Sequence, residues 1–90
     1  MTIRVEYMSQ LRVRTDCHEE AFAVAPGTDL AGLLRAIAEK HGDTVRELLL
    51  DEAGEPTATV LCFVASEQVD RNHILNEGDV VTLMTPISGG

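Results

Sequence analysis

TDLAGLLRAIAEKHG, residues 28–42, decides the architecture. Leu30, Leu33, Leu34, Ile37 and His41 recur at the spacing of one helical face. Arg35, Glu39 and Lys40 take the opposite face. Thr28 is the expected N-cap, with Asp29 in the first turn, where a carboxylate suits the positive end of the helix dipole. Gly42 is the expected stop, because glycine accepts the backbone angles that end many helices. Gly32 costs about 1 kcal/mol against alanine inside a helix, and it is expected to mark a close approach of helix to sheet. This is the strongest helix in the chain, so the flanking segments must supply the surface it packs on.

Those segments read mostly as strands. Thr2 to Met8 alternates, with Ile3, Val5 and Tyr7 on one side and Arg4 and Glu6 on the other. Ser9 to His18 reads as a connection, with Leu11 and Val13 turned inward. Glu19 to Val24 is a second short strand with Phe22 and Val24 inward, ended by Pro26-Gly27. After the helix, Asp43 to Leu50 is a shorter helical segment, and Asp51 to Thr57, with Gly54 and Pro56, is a loop. Thr59 to Ala65 is almost wholly apolar and is expected to be covered on both faces. Ser66-Glu67 turns into a very short strand at Gln68-Val69. Ile74-Leu75 anchors the polar stretch from Asp70 to Gly78, and Asp79 to Met84 is the last strand. The order ββα(α)βββ predicts an α+β fold, a mixed five-stranded sheet with one main helix packed on one face. With the first and last strands side by side in the centre, this is the ubiquitin-like β-grasp. Residues 1–84 form the domain, and residues 85–90 form a projecting tail.

Composition narrows the function. The chain has 90 residues, with Lys+Arg 7 against Asp+Glu 15, a net charge of −8. That balance argues against nucleic acid, whose binders carry a basic stripe, and against an anionic membrane surface. Electrostatically steered partners should be basic. Apolar runs fall far short of the ~20 residues of a membrane span. The N-terminal stretch lacks a signal-peptide pattern, so the expected location is cytoplasmic. Tyr7, Phe22 and Phe63 are the only aromatics, so the core is expected to be aliphatic.

Catalytic equipment is missing. Cys17 and Cys62 cannot hold an iron–sulfur cluster alone, and with His18, His41 and His73 they show no metal-ligand spacing. Cys62 reads as an inert core thiol, Cys17-His18 as a loop pair, and His41 as a helix-terminal residue. Lys40, the only lysine, reads as a solvated helix residue, and the scattered acidic residues as a solvated surface. What remains is the end of the sequence, Gly89-Gly90. Two residues without a Cβ can thread a narrow channel, and the reactive group they present is a carboxylate. A carboxylate is a poor electrophile until activated, most simply as an acyl-adenylate. No phosphate-binding loop is present for that step, so the activating enzyme must be a separate protein. A sulfur donor would then give a thiocarboxylate, and an amine would give an amide.

Three segments carry a family resemblance: IRVEYMSQLR, PGTDLAGLLRAIAEKHG and LNEGDVVTLMTPISGG. With them, essentially the whole chain resembles the MoaD/ThiS ubiquitin-like sulfur carriers, in particular the MoaD-type small subunits of molybdopterin synthase. The resemblance implies adenylation of Gly90 by a MoeB-like enzyme, with ATP and Mg²⁺ used by that partner and no cofactor bound by this chain. It implies conversion of Gly90 to a thiocarboxylate by a sulfur donor protein. Sulfur delivery would follow in a heterotetramer with a MoaE-like large subunit, the tail Pro86, Ile87, Ser88 and Gly89 presenting Gly90. It places a partner surface on the sheet face away from the helix, at Met8, Gln68 and Met84. Gln68 departs from the apolar residue the family carries there, and Thr85-Pro86 replaces paired prolines. Other outcomes are a carrier for cysteine, thiamine or another sulfur-containing metabolite, a ubiquitin-like protein modifier, and an interaction domain with a coincidental tail.

Overall fold

The computed structural model describes residues 1–85. Strand β1 (Thr2–Tyr7) buries Ile3, Val5 and Tyr7 completely and leaves Thr2 and Arg4 to solvent, as its alternation requires. Helix α1 (Gln10–Thr15) follows, then β2 (Glu19–Ala23), α2 (Leu30–His41), α3 (Asp43–Leu49), β3 (Leu61–Val64), β4 (Glu67–Gln68) and β5 (Val80–Met84). The sheet has five strands in the order β2-β1-β5-β3-β4. β1 and β5 lie parallel at its centre, and the other pairings are antiparallel. Helix α2 covers one face, inserting Leu30, Leu33, Leu34 and Ile37 against Ile3, Val5, Tyr7, Val81 and Leu83. The predicted α+β β-grasp is the observed fold.

Several local expectations need correction. Ser9 to His18 contains a helix. Its 3.6-residue period turns Leu11 and Thr15 inward, four apart, and leaves Val13 77% exposed. The cap of α2 is Asp29, whose carboxylate accepts the Gly32 N–H at 2.9 Å; the Thr28 hydroxyl donates to Ala25 O instead. Gly32 does not mark contact with the sheet. A Cβ there would meet the Thr28 methyl at 2.9 Å and an Asp29 carboxylate oxygen at 3.3 Å, so the glycine makes room for the helix's own cap. Gly42, at φ 86°, ends α2 as expected, its N–H donating to Ala38 O.

The apolar run at Thr59–Ala65 is a shorter strand, and only Cys62 in it is buried. Leu61 and Phe63 point to the face opposite α2, which no described element covers, so they remain half-buried. The turn after it is Ala65-Ser66, with φ of 53° and 68°, and β4 begins at Glu67. Two left-handed residues between paired strands are the geometry of a type I′ hairpin, which follows the sheet's twist. Leu75 is buried, while its neighbour Ile74 is 53% exposed, so the anchor is one residue rather than two. Val24 is only partly buried at the end of β2.

Candidate functional site

The end of β5 is held from both sides. Met8 N–H donates to Leu83 O at 3.0 Å, and Met84 pairs with Leu61 on β3. Thr85 follows with its side chain in the interior, where its hydroxyl has no hydrogen-bond partner among the described residues. Pro86, Ile87, Ser88, Gly89 and Gly90, the expected tail and reactive carboxylate, lie outside the described residues. What the fold fixes is their point of departure, the central strand of the sheet.

Around that point the open sheet face is apolar. Met84 and Leu61 are register partners, and Thr82, Phe63 and Gln68 form the next row across three strands. Met8, 38% exposed, flanks the Met84–Leu61 row just past the end of β1, and Val80, 40% exposed, lies farther down β5. Thr82 donates its hydroxyl to Glu6 at 3.1 Å on the same face. Met8 and Met84 therefore sit together, with Gln68 toward the β4 edge. Leu61, Phe63 and Val80 belong to the same surface and were missed in the sequence. The available signal was register: once β3 pairs with β5, Leu61 and Phe63 must share the face of Met84 and Thr82. Unbranched methionines suit such a surface because they adapt their shape to a partner.

A second cluster went unread. Glu20, on β2, is only 13% exposed and sits under the C-terminal turn of α2. Tyr7 donates its hydroxyl to Glu20 at 2.6 Å, Lys40 donates at 2.5 Å, and the His41 ring nitrogen meets the same carboxylate. Burial alone would raise the Glu20 pKa, but the hydrogen bonds from Lys40, Tyr7 and His41 outweigh it and hold the carboxyl down at about 2. Burial, reinforced by Glu20, pushes the Tyr7 phenol well above its usual range. Lys40 lies 5.3 Å from the Phe22 ring centroid, and Tyr7 and His41 meet edge to face. Neither Lys40 nor Glu20 is thus a simple solvated residue. The cluster fastens the edge strand to the helix. Cys17 lies beside it, its sulfur 3.9 Å from the carboxylate. Cys62 is the buried thiol its sequence context suggested, and burial pushes it up to about 11. Among the described residues no group of His, Cys, Asp and Glu could hold a metal ion, and no helix is long and apolar enough to cross a membrane.

The model of the ThiS family matches residues 5–90, from the middle of β1 through Gly90. The chain belongs to the ThiS family. Proteins of the ThiS family are small sulfur carriers rather than catalysts in their own right. Among solved structures, the ThiS fold of this chain matches SAMP1 from Haloferax volcanii with a TM-score of 0.89, 17% identity and 100% of both chains covered. A protein assigned as molybdopterin converting factor subunit 1 from Pyrococcus furiosus matches with a TM-score of 0.80 and 24% identity, covering 97% of this chain and 99% of that one. A protein–protein complex of subunits 1 and 2 of the molybdopterin-converting factor from Helicobacter pylori matches with a TM-score of 0.63 and 22% identity, over 100% of both chains.

Proposed function

We propose that the chain carries sulfur on Gly90 for the synthesis of molybdopterin. In this reading a MoeB-like enzyme binds ATP and Mg²⁺. The Gly90 carboxylate oxygen attacks the α-phosphorus, and pyrophosphate leaves. The outer sulfur of a persulfide on the donor protein then attacks the acyl carbon, and the carbon–oxygen bond to AMP breaks. A second thiol cleaves the sulfur–sulfur bond of the resulting acyl disulfide, so that the thiocarboxylate leaves and the donor sulfur ends in a disulfide. The domain's share of this chemistry is presentation. Rigid β1 and β5 hold the departure point, and the Met8–Met84 surface docks on the activating enzyme and then on a MoaE-like large subunit, with two copies of each in the final complex.

The supporting observation is that the ThiS match runs through Gly90 itself, continuous with the central strand. The subunit 1–subunit 2 complex with this fold supports a large-subunit partner. The test is intact-mass measurement after incubation with ATP, Mg²⁺, a MoeB-type enzyme and a persulfide donor. One oxygen exchanged for sulfur, lost when Gly90 is deleted, is the expected result. An unchanged mass with an enzyme shown to adenylate another carrier overturns the reading.

The modifier reading draws support from the full-length likeness to the Haloferax protein, which by its name is a small archaeal modifier protein. In that case the adenylated carbonyl passes to a lysine amine of a target. Gly90-dependent bands of higher mass in place of a thiocarboxylate would select it. Release of sulfur to a thiamine or cysteine enzyme in place of a MoaE-like one would redirect the carrier to that product.

A further inference from the structure

Away from the tail, a cavity of about 520 Å³ opens between the N-terminal half of α2 and the β4 edge of the sheet. Its floor is apolar, formed by Leu30, Leu34, Val60, Cys62 and Val69. β4 is an outermost strand, and the backbone there is poised to pair again. Val69 N–H donates inward to Cys62 O at 2.9 Å. Strand alternation therefore turns the N–H and C=O of its neighbour Gln68 outward, where one residue of an added strand can exchange both hydrogen bonds with it. A residue of that added strand facing Val69 would share its side of the sheet, and its side chain would enter the cavity beside Leu30 and Leu34.

Charge selects the occupant. Glu67 and Asp70 are exposed along this edge. Arg71, the basic residue at the cavity mouth, is engaged by Glu55, which also holds Arg35 at 3.2 Å. The chain as a whole carries −8. A second copy would bring the same acidic edge against itself, and like charges across paired strands are unfavourable.

We propose that the β4 edge and its cavity form a docking site for an extended segment of a partner protein, with one apolar side chain, a basic residue immediately before it and a second basic residue two positions after it. In an antiparallel pairing the apolar side chain fills the cavity opposite Val69, the basic residue before it meets Asp70, and the basic residue two positions after it, back on the cavity face, meets Glu67. This site adjoins the Met8–Met84 surface at Gln68 and does not depend on the Gly90 chemistry.

The probe is the peptide acetyl-Thr-Lys-Leu-Thr-Lys-Thr-amide, titrated into the ¹⁵N-labelled full chain at low salt. Amide shifts should appear at Cys62 and from Gln68 to Arg71. The Glu-for-Lys peptide should bind at least fivefold more weakly. Asp70→Asn keeps an oxygen for the Asn72 N–H that Asp70 now accepts at 2.9 Å. Combined with Glu67→Gln, it should weaken the lysine peptide at least fivefold. Ala58→Trp, placed from an exposed position at the cavity mouth, should abolish binding while the rest of the spectrum stays unchanged. No shifts, shifts confined to Met8 and Met84, or equal binding of the two peptides overturns the proposal. Edge shifts that grow with protein concentration alone also overturn it, in favour of a second copy.

Discussion

At the scale of single residues, Glu20 carries more than its place in an acidic chain suggests. Its carboxylate receives three side-chain partners from β1 and α2, and hydrogen bonds to a charged group are worth about 1.5–3 kcal/mol each where removal leaves a partner unpaired. Glu20→Gln should cost about 2 kcal/mol in urea unfolding at pH 7, a shared loss smaller than three separate bonds because Lys40 regains water. The pH dependence has a defined sign. The folded carboxyl titrates at about 2 against an ordinary 4.5, so its stabilisation is complete above about 4.5 and is lost as pH falls toward 2. The wild-type minus Glu20→Gln difference should therefore vanish across that window; a difference unchanged at pH 2 refutes the assignment. Gly32 gives a second expectation. Alanine would add helix propensity of about 1 kcal/mol. Its Cβ would also drive the Thr28 methyl out of place and break the 2.6 Å bond from the Thr28 hydroxyl to Ala25 O. Gly32→Ala should destabilise by about 1 kcal/mol on thermal unfolding, where propensity alone predicts a gain.

At the scale of elements, the β3–β4 hairpin is a test of turn chemistry. Ala65 and Ser66 both hold positive φ, which costs a residue with a Cβ about 1–3 kcal/mol. Replacing the pair by Asn-Gly, the preferred type I′ sequence, should raise stability by about 1 kcal/mol and leave the β4 register intact. The same turn shows where the sequence was silent. Nothing in Ala-Ser announces left-handed backbone, so the sequence reads as a turn at Ser66-Glu67, one residue later than the structure has it. β1, α2 and β5 were legible because each buries one regular face, and periodicity reports such a face directly. α1 was not, because a helix of one and a half turns shows only Leu11 and Thr15 to the core, and a buried threonine reads as polar. Thr15 is tolerated there because its hydroxyl donates to Leu11 O at 2.7 Å. On the site, Met8 and Met84 could be placed from their strands. Leu61 and Phe63 could not, since an all-apolar run does not say which face lacks a cover. Glu20 was illegible for another reason: its partners arrive from Tyr7, Lys40 and His41, and only the crossing of α2 over the sheet brings them together.

At the scale of the whole molecule, the charge of −8 sets how partners arrive. Association with a basic partner should slow as salt rises, because long-range attraction between exposed charges is screened within about 10 Å at 0.1 M. Stopped-flow association with the activating enzyme between 20 mM and 500 mM salt reads this directly, and a flat on-rate would rule out steering. The dissociation rate should change less, because it reports the apolar contact around Met84 rather than distant charge. The central pairing has a mechanical consequence. β1 and β5 run parallel, so the start of one and the end of the other lie at opposite ends of the same ladder. A pull on the end of β5 against an anchored β1 loads their hydrogen bonds in shear, all at once, whereas a hairpin would open one rung at a time. Work done on the end of the chain by a partner is thus transmitted to the stiffest part of the sheet. Force-extension measurements between the start of β1 and the end of β5 should show a single high rupture event in place of a gradual unzipping.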